Sequence, residues 1–273
     1  MGLLTEENSP YQDLEKMSVA ELIHHINYED KTVAEAVSKA LPDINTFISV
    51  CIEKLQNGGR LFYIGAGSSG RLGILDASEC PPTFGVKDDR IIGIIAGGDS
   101  AIRKAVENAE DDPNLAWKDL MKFDINAKDI VLGIAASGST TYVVEGLKTC
   151  LANNIATGCL TCNPDSPITK VVNFKIVVSV GPEFLTGSTR MKAGTAQKMV
   201  LNMISTATMI KLGKVHNNKM IDMKLSNEKL VRRGTKMVMD YLALNEEAAK
   251  KILLAHGSVR KALEAYKKDI IKE

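Results

Sequence analysis

The sequence predicts an α/β fold in which helices flank a doubly wound parallel β-sheet, with helices before the sheet and a helical region after it. Five short apolar, β-branched runs, typical of strands buried on both faces, alternate with helical patterns through the centre of the chain. Repeated β–α units of this kind form parallel sheets, whose ligands bind beyond the carboxyl ends of the strands. The hydrophobic content of 45% is enough for a sizeable core.

Helices are expected on both sides of the sheet. We divide the chain into an N-terminal helical segment at 1–56 that packs on the core, a sheet-containing domain at 57–225 and a C-terminal helical region at 226–273. In the first segment Ser18 begins a helix, and Glu21 completes a capping box. The helices predicted there are 20–26, one from Thr32 and 44–55, with Pro42 as a break and Asn57-Gly58-Gly59 as a stop.

Strands and the turns that follow them define the centre of the chain. The predicted strands are 60–65, 90–96, 129–135, 157–162 and 174–180. Turns rich in glycine or hydroxyl groups follow the first three, at Gly65–Gly70, Ala96–Asp99 and Ala136–Thr141. After the sheet, the predicted helices are one from Thr189 to about Lys211 that Gly213 stops, one that Asn245 caps and Gly257 ends, and a final charged helix.

The composition excludes several classes of partner. Lys and Arg total 34 against 33 for Asp and Glu, and the net charge of +1 gives no electrostatic footprint for nucleic acid. The first 30 residues lack a signal-peptide pattern, and no apolar run of about 18 residues occurs, so we expect no membrane partner. Five scattered cysteines favour a reducing cytoplasm over a disulfide framework.

We expect neither a metal nor a cofactor. The four histidines lack the spacing of a metal site. Cys159 and Cys162 form a CxxC pattern inside a strand-like run, without a second pair. Packing in the core is therefore favoured over metal binding or redox chemistry.

The turn after the first strand is the most informative segment of the chain. Gly65, Gly67 and Gly70 surround Ser68 and Ser69, and a helix follows. Such a turn directs backbone N–H groups and hydroxyls at an anion that the helix dipole also favours. No Lys follows the last glycine, as a Walker loop requires, and the place for the ribose-binding acid of a dinucleotide fingerprint is too rich in glycine. A phosphate ester is favoured over a dinucleotide.

A second hydroxyl-rich turn, Ser137-Gly138-Ser139-Thr140, follows the third strand. Taken alone, such a turn is more often a simple helix cap. Because the carboxyl ends of parallel strands lie at one edge of a sheet, this turn and the first one are expected to converge on a shared pocket. Two converging turns together favour a phosphate site.

The carboxylates leave alternatives open. Pro81 and Pro82 are expected to end a helix and so to place Glu79 in its last turn, where the helix dipole opposes negative charge and suits a general acid. A solvated surface glutamate fits the pattern equally well. Glu107 and Glu110 are expected three residues apart on one helix face, and the residues alone favour a solvated acidic helix end.

A segment dense in hydroxyls and bases precedes the long predicted helix. Ser188 and Thr189 are natural caps, and Arg190 and Lys192 are expected in the first turn, where the helix dipole disfavours cations. Cations at that position make sense beside a bound anion, so an anion site is favoured over ordinary surface charge.

Long motifs show which family the chain resembles. It resembles the N-acetylmuramic acid 6-phosphate etherases, bacterial enzymes of the sugar isomerase (SIS) fold, over nearly its whole length. The segments are GAGSSGRLGILDASECPPTFGV at 65–86, IAGG at 95–98, AVENAED at 105–111, IAASGSTTYV at 134–143, GPEFLTGSTRMKAGTAQK at 181–198 and GKVHNNKMIDMKLSNEKL at 213–230. The resemblance implies an SIS-type doubly wound sheet, with 57–225 as the sugar-phosphate-binding domain.

The resemblance also implies an activity. The family converts N-acetylmuramic acid 6-phosphate and water to N-acetylglucosamine 6-phosphate and D-lactate, for recycling or use of cell-wall sugar. It implies Glu79 as the proton donor and Glu110 as the second catalytic acid/base, with Glu107 a weaker candidate. Together with the turns above, the expected substrate-binding residues are Gly67, Ser68, Ser69, Ser137, Gly138, Ser139, Thr140, Ser188, Arg190 and Lys192. A cytoplasmic homodimer with shared active sites and no cofactor is expected.

This chemistry needs only two carboxylates in opposed protonation states. One rival function is that of the mammalian glucokinase regulatory protein, which shares the fold and the GPE…GSTRMK signature, binds sugar phosphates and acts by binding a kinase. It has two such domains in a much longer chain, whereas this chain has one and keeps both glutamates. The other rival is a ketose–aldose isomerase of the same fold, which release of lactate would distinguish.

Overall fold

The computed structural model describes residues 2–270. In this range strands and helices alternate through the centre, and both ends are helical. The strands are β1 (Leu61–Gly65), β2 (Ile91–Ile95), β3 (Ile130–Ile134), β4 (Ala156–Thr161) and β5 (Phe174–Val177). The helices are α1 (Val19–Lys39), α2 (Leu41–Gln56), α3 (Gly67–Phe84), α4 (Ser100–Arg103), α5 (Leu115–Met121), α6 (Thr141–Ala152), α7 (Lys192–Lys211), α8 (Glu228–Leu242), α9 (Glu246–His256) and α10 (Val259–Ile270).

The strands form one parallel sheet in the order β2-β1-β3-β4-β5. Gly65, the last residue of β1, aligns with Ile95 of β2 on one side and with Ile134 of β3 on the other. Because β2 and β3 lie on opposite sides of β1, the strand order reverses between β1 and β3, where doubly wound sheets bind ligands. The predicted α/β fold with a doubly wound parallel sheet is confirmed.

The sheet is buried because its strands are apolar on both faces. Every residue of β1 and β3 is buried. Phe62 and Val131 belong to an apolar cluster that includes Leu120 of α5 and Leu147 of α6. All five predicted strands are present, and β5 ends at Val177 rather than at 180.

The N-terminal helices show one correct start and one wrong boundary. The backbone N–H of Ser18 donates to Glu21, and that of Glu21 donates to the Ser18 hydroxyl, so the predicted capping box is confirmed. The predicted division before Thr32 is wrong, since α1 continues to Lys39. No Gly or Pro interrupts this stretch, and the Thr32 hydroxyl donates to the carbonyl of Glu29 inside the helix instead of capping a new one.

Helix α3 extends past the prolines that were predicted to end it. It runs to Phe84, with Pro81 and Pro82 inside. Both proline carbonyls accept hydrogen bonds, that of Pro81 from the N–H of Gly85 at 3.0 Å and that of Pro82 from the N–H of Lys224 at 3.1 Å. The contact with a segment far along the chain supports the extra turn, and a local pattern cannot reveal such a contact.

The acidic segment predicted as a helix at 105–112 forms turns instead. Asn108 has a φ of +60°, in the left-handed region, where an α-helix cannot continue. The carbonyl of Glu110 accepts from the N–H of Tyr142 at 2.9 Å and so ties the turn to the start of α6. Glu107 and Glu110 therefore do not share a helix face.

The caps predicted in the last part of the chain are confirmed. The side chain of Asn245 accepts from the N–H of Ala248 at 2.9 Å at the start of α9. Gly257 follows α9 with a φ of +74°, and its N–H donates to the carbonyl of Leu253. Gly213 stops α7 with a φ of +75°.

The chain separates into two compact units. The first contains the sheet and comprises residues up to Ala77 together with Asp89–Thr208. The second comprises Ser78–Asp88 together with the residues from Met209 onward. Helices α8, α9 and α10 build its apolar core, whose most buried residues include Val238, Leu253, Val259 and Ala262.

Candidate functional site

The reversal between β1 and β3 brings two helix starts to the same edge of the sheet. Helix α3 begins two residues after β1, at Gly67, and α6 begins at Thr141, after the turn that follows β3. The first turn of a helix presents backbone N–H groups without intrahelical partners, and the helix dipole adds positive potential. This edge is therefore suited to an anion.

The first turn of α3 holds the serines predicted after β1. Ser68 is half-buried and Gly67 is exposed. Ser69 is buried, and its hydroxyl donates to Oε1 of Gln197 on α7 at 3.0 Å. The predicted polar turn is thus shorter than expected, because the helix starts at Gly67 and includes both serines.

The turn after β3 leaves its hydroxyls outside the helix cap. Thr140 occupies the N-cap position of α6 without a side-chain capping bond. The hydroxyl of Ser139 donates to that of Ser137 at 3.0 Å. Gly138 has a φ of +69°, and a Cβ there would lie 2.1 Å from the hydroxyl oxygen of Ser166, so only glycine fits. The simple helix-cap interpretation of this turn does not account for Thr140.

Glu110 lines a cavity together with the start of α3. The cavity has a volume of about 320 Å³ and lies within the first unit. Glu107 and Glu110 are both exposed in its wall. Arg71 adds a cation whose Nε donates to the carbonyl of Ile102 at 2.8 Å. The residues that line the cavity include Ala66, Gly67, Arg71, Ala96, Val106, Glu107, Asn108, Glu110 and Asp111.

Glu79 lies further from the C-terminal end of α3 than the sequence pattern predicts. It is exposed and belongs to the second compact unit. Because α3 runs to Phe84, Glu79 precedes the last turn instead of lying in it. The helix dipole acts mainly within the terminal turn, so it gives no reason to expect a proton donor at Glu79.

An internal carboxylate occupies the start of α7. The Glu183 carboxylate accepts from the backbone N–H groups of Lys192 at 2.8 Å and Ala193 at 2.9 Å. These bonds fix the helix start at Lys192 instead of the predicted Thr189. Burial raises the pKa of Glu183, while the two N–H donors act in the opposite direction.

The cations predicted at this helix start differ in their surroundings. Lys192 is buried, and its ammonium forms an ion pair with Glu29 of α1 at 2.5 Å. That pair accounts for a buried cation at the helix start without an external anion. Arg190 precedes the helix and is exposed, and Ser188 is half-buried beside it.

A buried carboxylate supports the first part of α3. Asp76 accepts hydrogen bonds from the hydroxyls of Tyr63 on β1 and Ser205 on α7, each at 3.0 Å. Burial raises the pKa of Asp76, and the two hydroxyl donors partly offset this effect. The network joins three elements of the first unit behind the glycine turn.

The N-terminal residues are connected to the turn after β3. Asn163 is buried, and its side-chain amide donates to the hydroxyl of Thr5 at 3.0 Å and to the carbonyl of Ala136 at 2.9 Å. Ser9 donates to the carbonyl of Phe184 at 2.7 Å. The segment around Thr5 and Ser9 thus braces both the second turn and the loop before α7.

The CxxC thiols lie in the core. Cys159 and Cys162 are buried, and burial raises the pKa of each thiol to about 12. Among residues 2–270, no group of three or more His, Cys, Asp or Glu side chains is placed to hold a metal ion. None of the helices in this range combines the length and the apolar character that a bilayer-spanning segment needs.

Three residues that contact predicted site residues were not predicted from the sequence, namely Gln197, Glu183 and Glu29. One signal was present for Gln197, since it lies on the α7 face whose other members, such as Ala196, Val200 and Leu201, are buried and apolar. A polar residue at an apolar helix position indicates a specific partner.

Family comparisons cover most of the chain. Residues 43–151 match the glucokinase regulatory protein N-terminal SIS domain, 103–207 the SIS domain and 217–271 the C-terminal lid domain of glucokinase regulatory protein. The chain is 59% identical to the N-acetylmuramic acid 6-phosphate etherase of Christiangramia forsetii, over 97% of each chain. It is 54% identical to that of Bacteroides thetaiotaomicron, over 97% of this chain and 96% of the relative.

Solved structures share the fold at low sequence identity. A phosphoheptose isomerase from Francisella tularensis matches with a TM-score of 0.58 and 17% identity, over 71% of this chain and all of that one. A phosphoheptose isomerase from Neisseria gonorrhoeae matches with a TM-score of 0.55 and 16% identity, over 70% of this chain and 98% of the other.

Proposed function

The chain belongs to the N-acetylmuramic acid 6-phosphate etherase family, and from that premise we propose how its own residues perform the reaction. The substrate is N-acetylmuramic acid 6-phosphate, and the products are N-acetylglucosamine 6-phosphate and D-lactate. The observation that carries this conclusion is the 59% identity to an etherase over 97% of both chains.

The reaction proceeds by elimination and then addition. In the open-chain sugar, the aldehyde acidifies the C2 proton, which a base removes. The C3–O bond breaks, and an acid protonates the oxygen that leaves as D-lactate. Water then adds to the conjugated alkene, so a hydroxyl forms at C3 and a proton returns to C2. Two carboxylates can carry out these proton transfers, and the water that adds at C3 is the second substrate.

Glu79 is the acid that protonates lactate, and Glu110 is the base that removes the C2 proton. The family resemblance supports both roles through the segments DASECPP and AVENAED. The cavity wall that Glu110 shares with Gly67 supports Glu110 further, because this carboxylate lies beside the candidate anion site.

The 6-phosphate binds at the edge between β1 and β3. Its donors are the first turn of α3, with Gly67, Ser68 and Ser69, and the turn Ser137–Thr140. The topological reversal between the two strands supports this assignment. So does Thr140, whose side chain makes no capping hydrogen bond at the start of α6. Ser188 and Arg190 approach the substrate from the loop before α7, and Lys192 contributes by holding the start of α7 through Glu29.

A direct assay tests the function. The protein is incubated with N-acetylmuramic acid 6-phosphate in ¹⁸O-labelled water, and D-lactate and the label are measured. We expect D-lactate without label and sugar product with the label at C3, because water attacks the sugar. Absence of D-lactate would overturn the activity and favour a sugar-phosphate regulator or isomerase. Label in the lactate would overturn the elimination step.

We propose that the enzyme is a cytoplasmic homodimer with shared active sites. The resemblance supports this, and the dimer is further supported by Val19 and Ile23, which lie one turn apart on one face of α1 and are 74% and 62% exposed. Apolar side chains exposed side by side are more typical of an interface than apolar side chains exposed singly. Light scattering on purified protein should give the mass of two chains, and a monomer at assay concentration would contradict the proposal.

A further inference from the structure

Gln197 combines deep burial with an unsatisfied amide. Only 1% of its surface is exposed, Oε1 accepts from the Ser69 hydroxyl at 3.0 Å, and Nε2 has no hydrogen-bond partner among residues 2–270. A buried N–H group without a partner is costly and rare. An apolar side chain would fill this position on α7 without that cost, so a specific role for the amide is indicated.

The amide has two orientations of nearly the same shape. Rotation by 180° exchanges Oε1 and Nε2. In one orientation Ser69 donates its only hydroxyl hydrogen to Gln197, and the Nε2 group stays unpaired. In the other, Nε2 donates to the Ser69 oxygen, and a carbonyl oxygen, which tolerates a missing partner better, takes the unpaired position. The second orientation frees the Ser69 hydrogen.

We propose that Gln197 is a positioning residue that donates from Nε2 to Ser69 Oγ and thereby directs the Ser69 hydroxyl hydrogen to the substrate phosphate. This inference rests on the proposed function, in which Ser69 binds that phosphate. A phosphate dianion only accepts hydrogen bonds, so Ser69 helps to bind it only when its hydrogen is not already donated to Gln197. The orientation of one buried amide thus decides whether Ser69, in the first turn of α3, can donate to the substrate phosphate.

Two substitutions separate the donor from the space it fills. Gln197→Met keeps the volume and removes the donor, and it should raise the Kd for N-acetylglucosamine 6-phosphate about 3- to 10-fold with kcat within about twofold. Gln197→Glu offers an acceptor and a negative charge, and at pH 8 it should weaken binding more strongly than Gln197→Met does. Binding by Gln197→Glu should recover as the pH is lowered, because the protonated carboxyl can donate and is neutral.

A double-mutant cycle tests whether Gln197 acts through Ser69. In a Ser69→Ala background, Gln197→Met should leave the Kd unchanged within about twofold. Equal weakening in both backgrounds would overturn the inference. Thr208→Val is the matched control, since Thr208 is also buried on α7 with a hydroxyl that lacks a partner in the described part of the chain, and it should not change the Kd.

The readouts separate this inference from the proposed function. If the wild type binds N-acetylglucosamine 6-phosphate but releases no D-lactate, the proposed reaction is wrong. The double-mutant cycle, which is measured by ligand binding, still decides the role of Gln197. If the wild type releases D-lactate while the effects of Ser69→Ala and Gln197→Met on the Kd are additive, only the inference fails. Should Gln197→Met fail to fold, Gln197→Asn, which retains the amide but shortens its reach, replaces it with the same expectations.

Discussion

Glu79 and Glu110 are each exposed, but they belong to different kinds of local structure, one a helix and the other a turn tied to α6. If the first protonates lactate and the second removes the C2 proton, single substitutions should separate the half-reactions. In deuterated water, Glu79→Gln should exchange the C2 hydrogen of the substrate while releasing little lactate, because the amide cannot supply a proton. NMR of the substrate measures exchange, and an enzymatic assay measures D-lactate.

Glu110→Gln is the matched partner of that experiment, and it should be impaired in exchange itself. Near wild-type lactate release by Glu79→Gln would show that the donor assignment is wrong. Reversed behaviour of the two variants would exchange the roles and retain the two-carboxylate mechanism.

The hydroxyls of Ser137 and Thr140 should act on binding more than on chemistry. Ser137→Ala and Thr140→Val each remove a donor to a charged acceptor, which is worth about 1.5–3 kcal/mol. We expect KM to rise about 10-fold or more, with a smaller change in kcat. Thr46→Val, which alters a hydroxyl bonded within α2, is the control. An unchanged KM in both turn variants would place the phosphate elsewhere.

At the scale of elements, the buried Asp76 joins α3 to β1 and α7. Its pKa is raised by burial, so the folded protein retains this proton to higher pH than the unfolded chain. The stability of the wild type relative to Asp76→Asn should therefore fall as the pH rises above the ordinary aspartate value of 3.8, and then level off. The slope is at most about 1.4 kcal/mol per pH unit for one proton.

Urea denaturation of both proteins between pH 4 and 8 measures this difference. A wild type that gained stability relative to Asp76→Asn as the pH rose would contradict the raised pKa.

Gly85 ends α3 in a position that no other residue fits. Its φ is +63°, and a Cβ there would lie 2.0 Å from the carbonyl oxygen of Asp222. Gly85→Ala should lower the free energy of unfolding by more than the roughly 1–3 kcal/mol that the backbone strain alone costs. Gly213→Ala has a similar φ of +75° in open space, so it isolates the strain. Equal losses of stability in the two variants, measured by thermal unfolding, would show that the clash with Asp222 is relieved.

Local signals were enough for the strands and for several helix ends. Ser18, Asn245 and Gly257 act through partners within four residues, and the sequence predicts all three correctly. The continuation of α3 depends on Lys224, which is far away in sequence. Likewise, Asn108 adopts a left-handed conformation in a segment whose composition suits a helix.

The candidate site follows the same division. The pattern of strands and turns predicts that the loops after β1 and β3 share one sheet edge, and the strand order confirms this. The partners of the predicted side chains were not predictable, because Ser69 and Gln197 are separated by 128 positions and Glu29 and Lys192 by 163. No periodicity within a single element specifies such pairs.

At the scale of the whole molecule, the second unit is discontinuous in sequence. Ser78–Asp88 belongs to it, but the residues from Met209 onward supply the rest. On the ribosome, this inner segment is therefore synthesised before the rest of its unit, which follows only after the intervening residues 89–208. Until Lys224 emerges, the carbonyl of Pro82 lacks the donor that it has in the native state. Loss of the C-terminal residues would thus disturb a stretch in the first third of the chain, the one that contains Glu79.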